Sequence, residues 1–294
     1  MKMKLKILAA VTGLLLITAC FSPWNGDEGV FTISVGGGGN ARAALPWNEE
    51  IEIDDLVHTI TVSGGPGPKQ ELDVTGSKTI RFSVNPGIWE IFVHAYKYGA
   101  NNGKTEIADA YVLVEIEPGP NDVVIIQMKQ VYAIGEEGPA GGIIFYDKKN
   151  HSGGWRYLEA APGDEEDEYP WANSLFSSAG TGEGMGFGKN NTKLLLTYLA
   201  KQDNPDNNFY AAQAAVKPKN DYEDWFLPSI GELMYMFRYS QQANDRLFSA
   251  DGTYWSSSEA NNGNAYSVEF TNGVSSRKTS AVEDQYFVRA IRQF

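Results

Sequence analysis

The sequence predicts an α+β protein in which an all-β sandwich domain precedes a domain of short strands and helices. Residues 31–130 contain six or seven runs of alternating apolar and polar residues, separated by turns rich in glycine, proline and asparagine. Such spacing without a helical period is typical of a β-sandwich. Beyond residue 131, three helical patterns occur among strand-like runs and glycine-rich loops. The length of 294 residues suits two domains better than one.

Residues 1–19 predict an export signal. Lysines stand at positions 2, 4 and 6 without an acid among them, and residues 7–19 are almost wholly apolar. This apolar run is too short to cross a bilayer, which takes about 20 residues. A positive start, a short apolar core and a small residue at its end are typical of a signal peptide that is removed on export.

Cys20 directly follows Ala19 and is the only cysteine of the chain. Residues 16–20 (LITAC) resemble the lipobox of bacterial lipoproteins, in which the cysteine sulfur receives a diacylglyceryl group and becomes the new N-terminus. The resemblance implies a membrane anchor at Cys20, because several acyl chains, at about 0.8 kcal/mol per buried methylene, hold a protein durably. Phe21 is not the aspartate that often retains lipoproteins at the inner membrane. We therefore predict an outer-membrane location, facing the periplasm or the outside. A secretory signal with a chance cysteine is the alternative.

Composition argues against a nucleic-acid partner. The chain has 37 acidic and 24 basic residues, a net charge of −13. Removing three lysines with the signal would leave 21 − 37 = −16. Such a surface repels phosphate backbones and anionic lipid.

Without a second cysteine the fold has no intramolecular disulfide, so its stability must come from its cores. Residues 20–30 would form a polar tether between the anchor and the first domain.

The strands of the first domain are predicted from runs in which every second residue is apolar. In the fourth run Trp89, Ile91, Val93 and Ala95 would lie on one face of a strand. Residues 36–39 are all glycine and are expected to form a flexible loop. The predicted strands are residues 31–35, 58–62, 79–84, 89–95, 110–116 and 123–128.

Two segments of the first domain have the pattern of a turn followed by a strand. They are residues 85–91 (NPGIWEI) and 118–125 (PGPNDVVI). They resemble the immunoglobulin-like or transthyretin-like modules that lie next to the anchor of many bacterial surface lipoproteins. The resemblance is one of architecture. It implies that residues 31–130 form an Ig-like spacer or assembly module without chemistry of its own.

In the second domain, Ser229 and Glu232 have the spacing of a capping box, so a helix is expected to begin there. Another helix is expected after the asparagines that precede Thr192, which are good capping residues. An alanine-rich segment would form a short third helix. The predicted helices are residues 191–202, residues 209–216 and the segment that begins at Ser229.

Six short sequence motifs of the second domain occur in the same order as in one known family. They are residues 141–146 (GGIIFY), 157–162 (YLEAAP), 180–182 (GTG) with 191–192 (NT), 224–233 (DWFLPSIGEL), 254–259 (YWSSSE) and 288–292 (VRAIR). Together they resemble the Lcl C-terminal-like family, also seen as major paralogous domains, over roughly residues 134–294. The resemblance implies a C-type lectin-like fold for residues 131–294.

In the C-type lectin-like fold the terminal strands pair, and two helices pack on a small sheet. Residues 142–146 and 285–292 are therefore expected to pair with each other. Large aromatic residues would organise the core rather than stack on a ligand, and two arginines would make charge-assisted hydrogen bonds to loops or carboxylates. The residues concerned are Trp225, Phe226, Trp255, Arg289 and Arg292.

No set of residues in the second domain predicts catalysis. The fold family includes enzymes that use their own cysteines and bound copper, and this domain has no cysteine. His151 is the only local histidine for a catalytic triad or a zinc site. The carboxylate pairs Asp221 with Asp224 and Glu223 with Glu232 could act as acid and base, but chance pairs are expected among so many acids. We predict that the protein is not an enzyme.

No cofactor is predicted. Calcium-dependent lectins bind sugar through a Glu-Pro-Asn or Gln-Pro-Asp triplet followed by Trp-Asn-Asp, and neither triplet occurs in the domain. Residues 164–168 (DEEDE) could supply oxygen ligands to a structural calcium ion, with a solvated acidic loop as the alternative. Residues 180–188 (GTGEGMGFG) lack the Gly-Lys-Ser/Thr ending of a phosphate-binding loop. They are expected to form a mobile loop.

We predict a non-catalytic, lipid-anchored surface or envelope protein, adhesin-like, whose second domain binds a protein or glycan through loops. Residues 259–264 and 271–284 are favoured because asparagines there offer paired donors and acceptors beside a small basic spot. A structural or assembly component of the envelope and a polysaccharide-acting enzyme are the alternatives. The candidate ligand-binding residues are Glu259, Asn261, Asn262, Asn264, Asn272, Arg277 and Lys278.

Overall fold

The structure is a computed structural model. It describes residues 28–35, 44–45, 48–52, 55–76, 78–99, 103–173, 176–201, 209–243, 252–271 and 274–294. The chain divides into two compact units, with the boundary between Val131 and Tyr132. Cys20, the predicted signal and the glycines at 36–39 lie outside the described residues. Within the described ranges, no helix has both the length and the apolar character needed to cross a membrane.

The first unit is built from β-strands. Those described are β1 (Gly29–Val35), β2 (Ala44–Leu45), β3 (Asn48–Glu52), β4 (Val57–Ser63), β5 (Gln70–Thr75), β6 (Lys78–Val84), β7 (Gly87–Tyr98), β8 (Lys104–Ile116), β9 (Gly119–Ile126) and β10 (Lys129–Gln130).

The larger strands of the first unit form two sheets. One has the order β6-β1-β9, in which β1 runs antiparallel to β6 and parallel to β9. The other has the order β10-β8-β7-β4-β5 and is antiparallel. Apolar side chains from both sheets meet in one buried cluster. Two sheets around a shared core are the arrangement of a β-sandwich, as the alternating runs predict.

Trp89 on β7 lies at the centre of this core. The four residues of the predicted inward face of β7 are each 0% exposed, which confirms that face. The indole N–H of Trp89 donates to the carbonyl oxygen of Asn85 at 2.8 Å, so the turn before β7 satisfies the buried polar atom. A Cβ on Gly65 would lie 2.2 Å from the indole ring. The backbone there can approach the tryptophan because residue 65 has no side chain.

The second unit combines short strands with helices. Its described elements are β11 (Ile143–Asp147), β12 (Tyr157–Ala160), α1 (Gly188–Leu199), α2 (Ala211–Ala215), α3 (Ile230–Ala243), β13 (Gly252–Glu259), β14 (Asn264–Thr271), β15 (Val274–Ala281) and β16 (Ile291–Gln293). The strands form two sheets of orders β11-β12-β16 and β13-β14-β15. The three predicted helices are present, although α1 begins three residues before the predicted Asn191.

The strands near the two ends of the second unit do not pair with each other, so the expectation for residues 142–146 and 285–292 is wrong. β12 lies between β11 and β16 and runs antiparallel to both. All four residues of β12 are buried. A strand covered on both faces takes a central position in a sheet, and this sheet therefore inserts β12 between the two end strands.

Large aromatic side chains fill the interior of the second unit. Trp225, Phe226 and Trp255 are each 2% exposed or less, which confirms the prediction that they are core residues. Arg289 is also buried, and its Nε donates to Asp164 Oδ1 at 2.6 Å. The guanidinium therefore holds the segment after β12 against the chain just before β16, as a charge-assisted bond of this kind can.

Arg292 on β16 joins two carboxylates. Its Nε and Nη2 donate to the two oxygens of Asp224 at 2.9 and 3.1 Å, and its Nη1 donates to Glu159 Oε2 at 3.0 Å. Glu159 has no exposed surface, and its Oε1 accepts from the N–H groups of Ala140 and Gly142 at 3.0 and 2.8 Å. Burial raises the pKa of Glu159, while the Gly142 N–H and the Arg292 guanidinium oppose that rise.

Candidate functional site

The N-terminus of α3 is bonded to residues 180–188, called here the glycine loop. The predicted capping box is present: Glu232 N donates to Ser229 Oγ at 3.2 Å, and Ser229 N donates to Glu232 Oε2 at 2.7 Å. Two further bonds reach the glycine loop. Ser229 Oγ donates to Gly184 O at 2.7 Å, and Gly186 N donates to Glu232 Oε1 at 2.9 Å. The cap therefore fixes the loop as well as the helix.

Glu232 is fully buried at this junction. Burial raises the pKa of Glu232 to about 7, while backbone N–H groups of Ser229, Gly186 and Gly188 oppose the rise. A Cβ on Gly188 would lie 2.2 Å from Glu232 Oε2, so the first residue of α1 must be glycine for the carboxyl group to fit. The carboxyl group thus contacts α1, α3 and the glycine loop.

Asn191 in the first turn of α1 holds the start of the glycine loop. Its Oδ1 accepts from Gly182 N at 2.8 Å, and its Nδ2 donates to Gly182 O at 2.6 Å. Ser258 Oγ on β13 donates to the same carbonyl at 2.7 Å. Asn191 was expected near the start of this helix as a capping residue, but it lies within α1, which begins at Gly188. The loop that we expected to be mobile is instead bonded to α1, α3 and β13.

Glu259, a predicted ligand-binding residue, is bonded to residues 178–181, which include the first two residues of the glycine loop. Its carboxylate accepts from Ser178 Oγ and Ala179 N, both at 2.8 Å, and from Gly180 N at 3.2 Å. Its own N–H donates to Thr181 Oγ1 at 2.7 Å. The carboxylate therefore holds residues 178–180 in place by accepting several hydrogen bonds from them.

Arg277 and Lys278 are neighbours on β15, so their side chains point to opposite faces of the sheet. Arg277 Nη2 pairs with Glu183 Oε2 of the glycine loop at 2.8 Å, and its guanidinium lies 3.6 Å from the centroid of the Tyr266 ring. Lys278 pairs with Glu269 at 3.1 Å. The two basic residues that were predicted to form one basic spot therefore lie on opposite faces of the sheet, and only Arg277 lies beside the glycine loop.

The candidate asparagines are only partly described. Asn261 is exposed in a 3₁₀ turn over Asn261–Gly263, and its carbonyl oxygen accepts from Asn264 Nδ2 at 3.2 Å. The side chain of Asn262 and the whole of Asn272 lie outside the described residues. The turn follows Glu259 and precedes β14, so Asn261 and Asn264 lie at one end of the β13–β14 hairpin.

The carboxylates considered for catalysis make structural bonds. Asp224 is bound by Arg292, and Glu232 caps α3. In the acidic segment 164–168, Glu165 Oε1 lies 2.8 Å from the Lys219 ammonium. Across the part of the chain that is described, no three His, Cys, Asp or Glu residues are grouped so that they could hold a metal ion.

A second feature is a groove of about 590 Å³ between α1 and residues 216–226, called here the lysine groove. Three exposed lysines line it, Lys189, Lys193 and Lys201, and its other residues are mostly apolar. The remaining lining residues are Thr192, Leu196, Thr197, Ala200, Val216, Glu223, Asp224, Trp225 and Phe226. The three lysines were not predicted as a site from the sequence, although Lys193 and Lys201 both lie in the predicted helix 191–202, eight residues apart.

The candidate site lies on the second unit of a β-rich protein. In this unit, hydrogen bonds from α1, α3 and β13 hold the glycine loop in place. The family model of the Lcl C-terminal domain matches residues 169–292, which confirms the resemblance to that family over this range. The matched range contains the glycine loop, α1, α3 and β13–β15.

Two solved structures show weak similarity. A fimbrial protein from Bacteroides ovatus ATCC 8483 is 14% identical, with a TM-score of 0.40, over 91% of this chain and 71% of that chain. A DUF4876 family protein from Bacteroides thetaiotaomicron VPI-5482 is 9% identical, with a TM-score of 0.19, over 51% of this chain and 38% of that chain. Among curated proteins no significant match was found.

Proposed function

We propose that the protein is a lipid-anchored cell-envelope protein whose second unit binds a protein or glycan without catalysing a reaction. The observation that supports this most is the glycine loop, which buried groups of α1, α3 and β13 hold in place. A loop that is already ordered loses less conformational entropy when a ligand binds. The match to the Lcl C-terminal domain covers the loop and each of these contacts.

A C-type lectin-like fold for the second unit is part of this proposal, and the pairing of strands from the two ends of such a fold would then be made by β12 and β16. Such a scaffold carries function on its loops while the frame is conserved in shape. The enzyme alternative is weaker because Asp224 and Glu232, members of the two carboxylate pairs, are engaged in bonds that hold the fold together.

The proposed anchor is a diacylglyceryl group on Cys20. We expect labelled palmitate, fed to producing cells, to enter the wild-type protein and not Cys20→Ser, because the thiol is the acceptor. The mature N-terminal peptide of the wild type should begin at Cys20 when it is measured by mass spectrometry. Equal label in both proteins, or a natural product that begins at Met1, would remove the anchor from the proposal.

The proposed binding surface includes the glycine loop and Arg277. We expect Arg277→Ala to weaken binding roughly fivefold or more, since an interfacial residue of this type often contributes about 1 kcal/mol or more. Lys278→Ala is the matched control, because it is the next residue and faces the other side of β15. The full-length protein would be measured on a printed glycan array and on immobilised mucins.

Thermal unfolding of both variants would show whether each remains folded. Binding that is weakened equally by both substitutions would contradict a surface limited to the Arg277 side. Hydrolysis of a glycosidase or esterase substrate, lost on replacement of a single carboxylate, would contradict a non-catalytic function.

A further inference from the structure

The lysine groove shares no lining residue with the surface proposed above, and it has a different chemical character. We propose that it binds an acidic segment of a partner protein, in which carboxylates alternate with apolar side chains. This goes beyond the proposed function, because it assigns a second docking surface to the same unit.

The charge of the groove is opposite to that of the chain. Lys189, Lys193 and Lys201 contribute three positive charges, within a protein of net charge −13. The lining also contains Glu223 and Asp224, and Asp224 is bonded to Arg292, which bonds Glu159 as well. The three lysines therefore outnumber the two carboxylates of the lining. Complementary charge of this kind selects acidic partners and speeds their association.

The spacing of the lysines fits a peptide. Lys189 and Lys193 are four residues apart on α1, which is about 6 Å along the axis, and Lys201 follows two residues after the last residue of the helix, Leu199. Carboxylates recur at about 6 Å in a helix with acids at every fourth residue. They recur at nearly 7 Å in a strand with acids at every second residue. Either form of an acidic segment places its charges opposite the lysines.

The floor of the groove argues for protein rather than for a simple polyanion. Leu196 and Val216 are half-buried, Ala200 is exposed, and the side chain of Phe226 closes the base. Apolar surface of this kind is stabilised when an aliphatic or aromatic side chain covers it. A sulfated polysaccharide would meet the lysines but would leave the apolar floor exposed to water.

The test uses the full-length protein and three probes in titration calorimetry. The first is a synthetic peptide of about 15 residues with glutamate at every fourth position and leucines between. The second is polyglutamate of the same length, and the third is a sulfated polysaccharide. We expect the first probe to bind at least roughly tenfold more tightly than the other two, because it alone covers the floor. Equal or tighter binding of either polyanion, or no binding of the peptide, would overturn the proposal.

Variants of the groove then test whether the peptide binds there. The triple variant K189Q/K193Q/K201Q should weaken peptide binding roughly tenfold or more. The matched control K78Q/K97Q/K129Q, which removes three exposed lysines of the first unit, should not. Ala200→Arg adds positive charge while it fills the groove, so we expect weaker binding from this variant too. Tighter binding to Ala200→Arg, or an equal loss in the control, would show attraction by charge alone and would overturn the proposal.

Discussion

Arg292→Met is expected to lower the free energy of unfolding of the second unit by about 3–5 kcal/mol, the usual cost of removing one partner from a buried ion pair. The guanidinium bonds both Asp224 and the fully buried Glu159. Methionine keeps apolar contact with the Tyr222 ring, over which the guanidinium now lies at 4.2 Å. It leaves Glu159 with its backbone donors but without a cation.

The loss should be smaller at pH 4 than at pH 7. Arg292 opposes the raised pKa of Glu159, so its removal raises that pKa further. The folded variant then binds a proton that the unfolded chain has released, and acid partly restores its stability. Urea unfolding, followed by hydrogen exchange in peptides from β12 and β16, measures this unit separately from the first.

Arg81→Met, at an exposed position on β6, is the control and should change stability by less than about 0.5 kcal/mol. Adding Glu159→Gln to Arg292→Met should recover part of the loss, because it removes the unpaired charge. An Arg292→Met protein as stable as the control variant would show that the buried pair does not stabilise this fold.

The second large effect is a dependence of stability on pH through Glu232. Its pKa in the folded protein is raised to about 7 from an ordinary value of 4.5. Between these values the folded state holds a proton that the unfolded chain has lost. The stabilisation is therefore complete below about pH 4.5 and is lost as the pH rises through about 7. The shift corresponds to about 3 kcal/mol.

Glu232→Gln stays uncharged at every pH, so the stability of the wild type relative to this variant should fall by about 3 kcal/mol from pH 4.5 to 7.5. Glu223→Gln, which replaces an exposed carboxylate with an amide, is the control for the substitution itself. Hydrogen exchange in the glycine loop and in α3 should follow the same curve, since Glu232 bonds Gly186 and Ser229. Parallel pH curves for wild type and Glu232→Gln would contradict the raised pKa.

Much of the first unit could be predicted because its strands bury one face. Trp89, Ile91, Val93 and Ala95 alternate with more exposed residues along β7, and all four are buried. β5 could not be predicted in the same way. It lies at the edge of its sheet with four of its six residues exposed, so its sequence, QELDVT, has little apolar alternation.

The site was predicted less well than the fold, because its contacts join residues that are distant in sequence. The capping box of Ser229 and Glu232 is local and was predicted. The bonds from Asn191 to Gly182 and from Glu259 to the segment before the glycine loop depend on packing between elements. The separation of Arg277 from Lys278 follows from strand alternation, once β15 is placed.

The parallel pairing of β1 with β9 has a mechanical consequence. Gly29 pairs with Gly119 and Val35 with Ile126, so Gly29 lies at one end of this ladder and Ile126 at the other, about 20 Å away. A pull applied between Gly29 and Ile126 would load the ladder in shear, stretching its hydrogen bonds together rather than peeling them open one by one. This pair of strands would therefore resist such a pull with several hydrogen bonds at once.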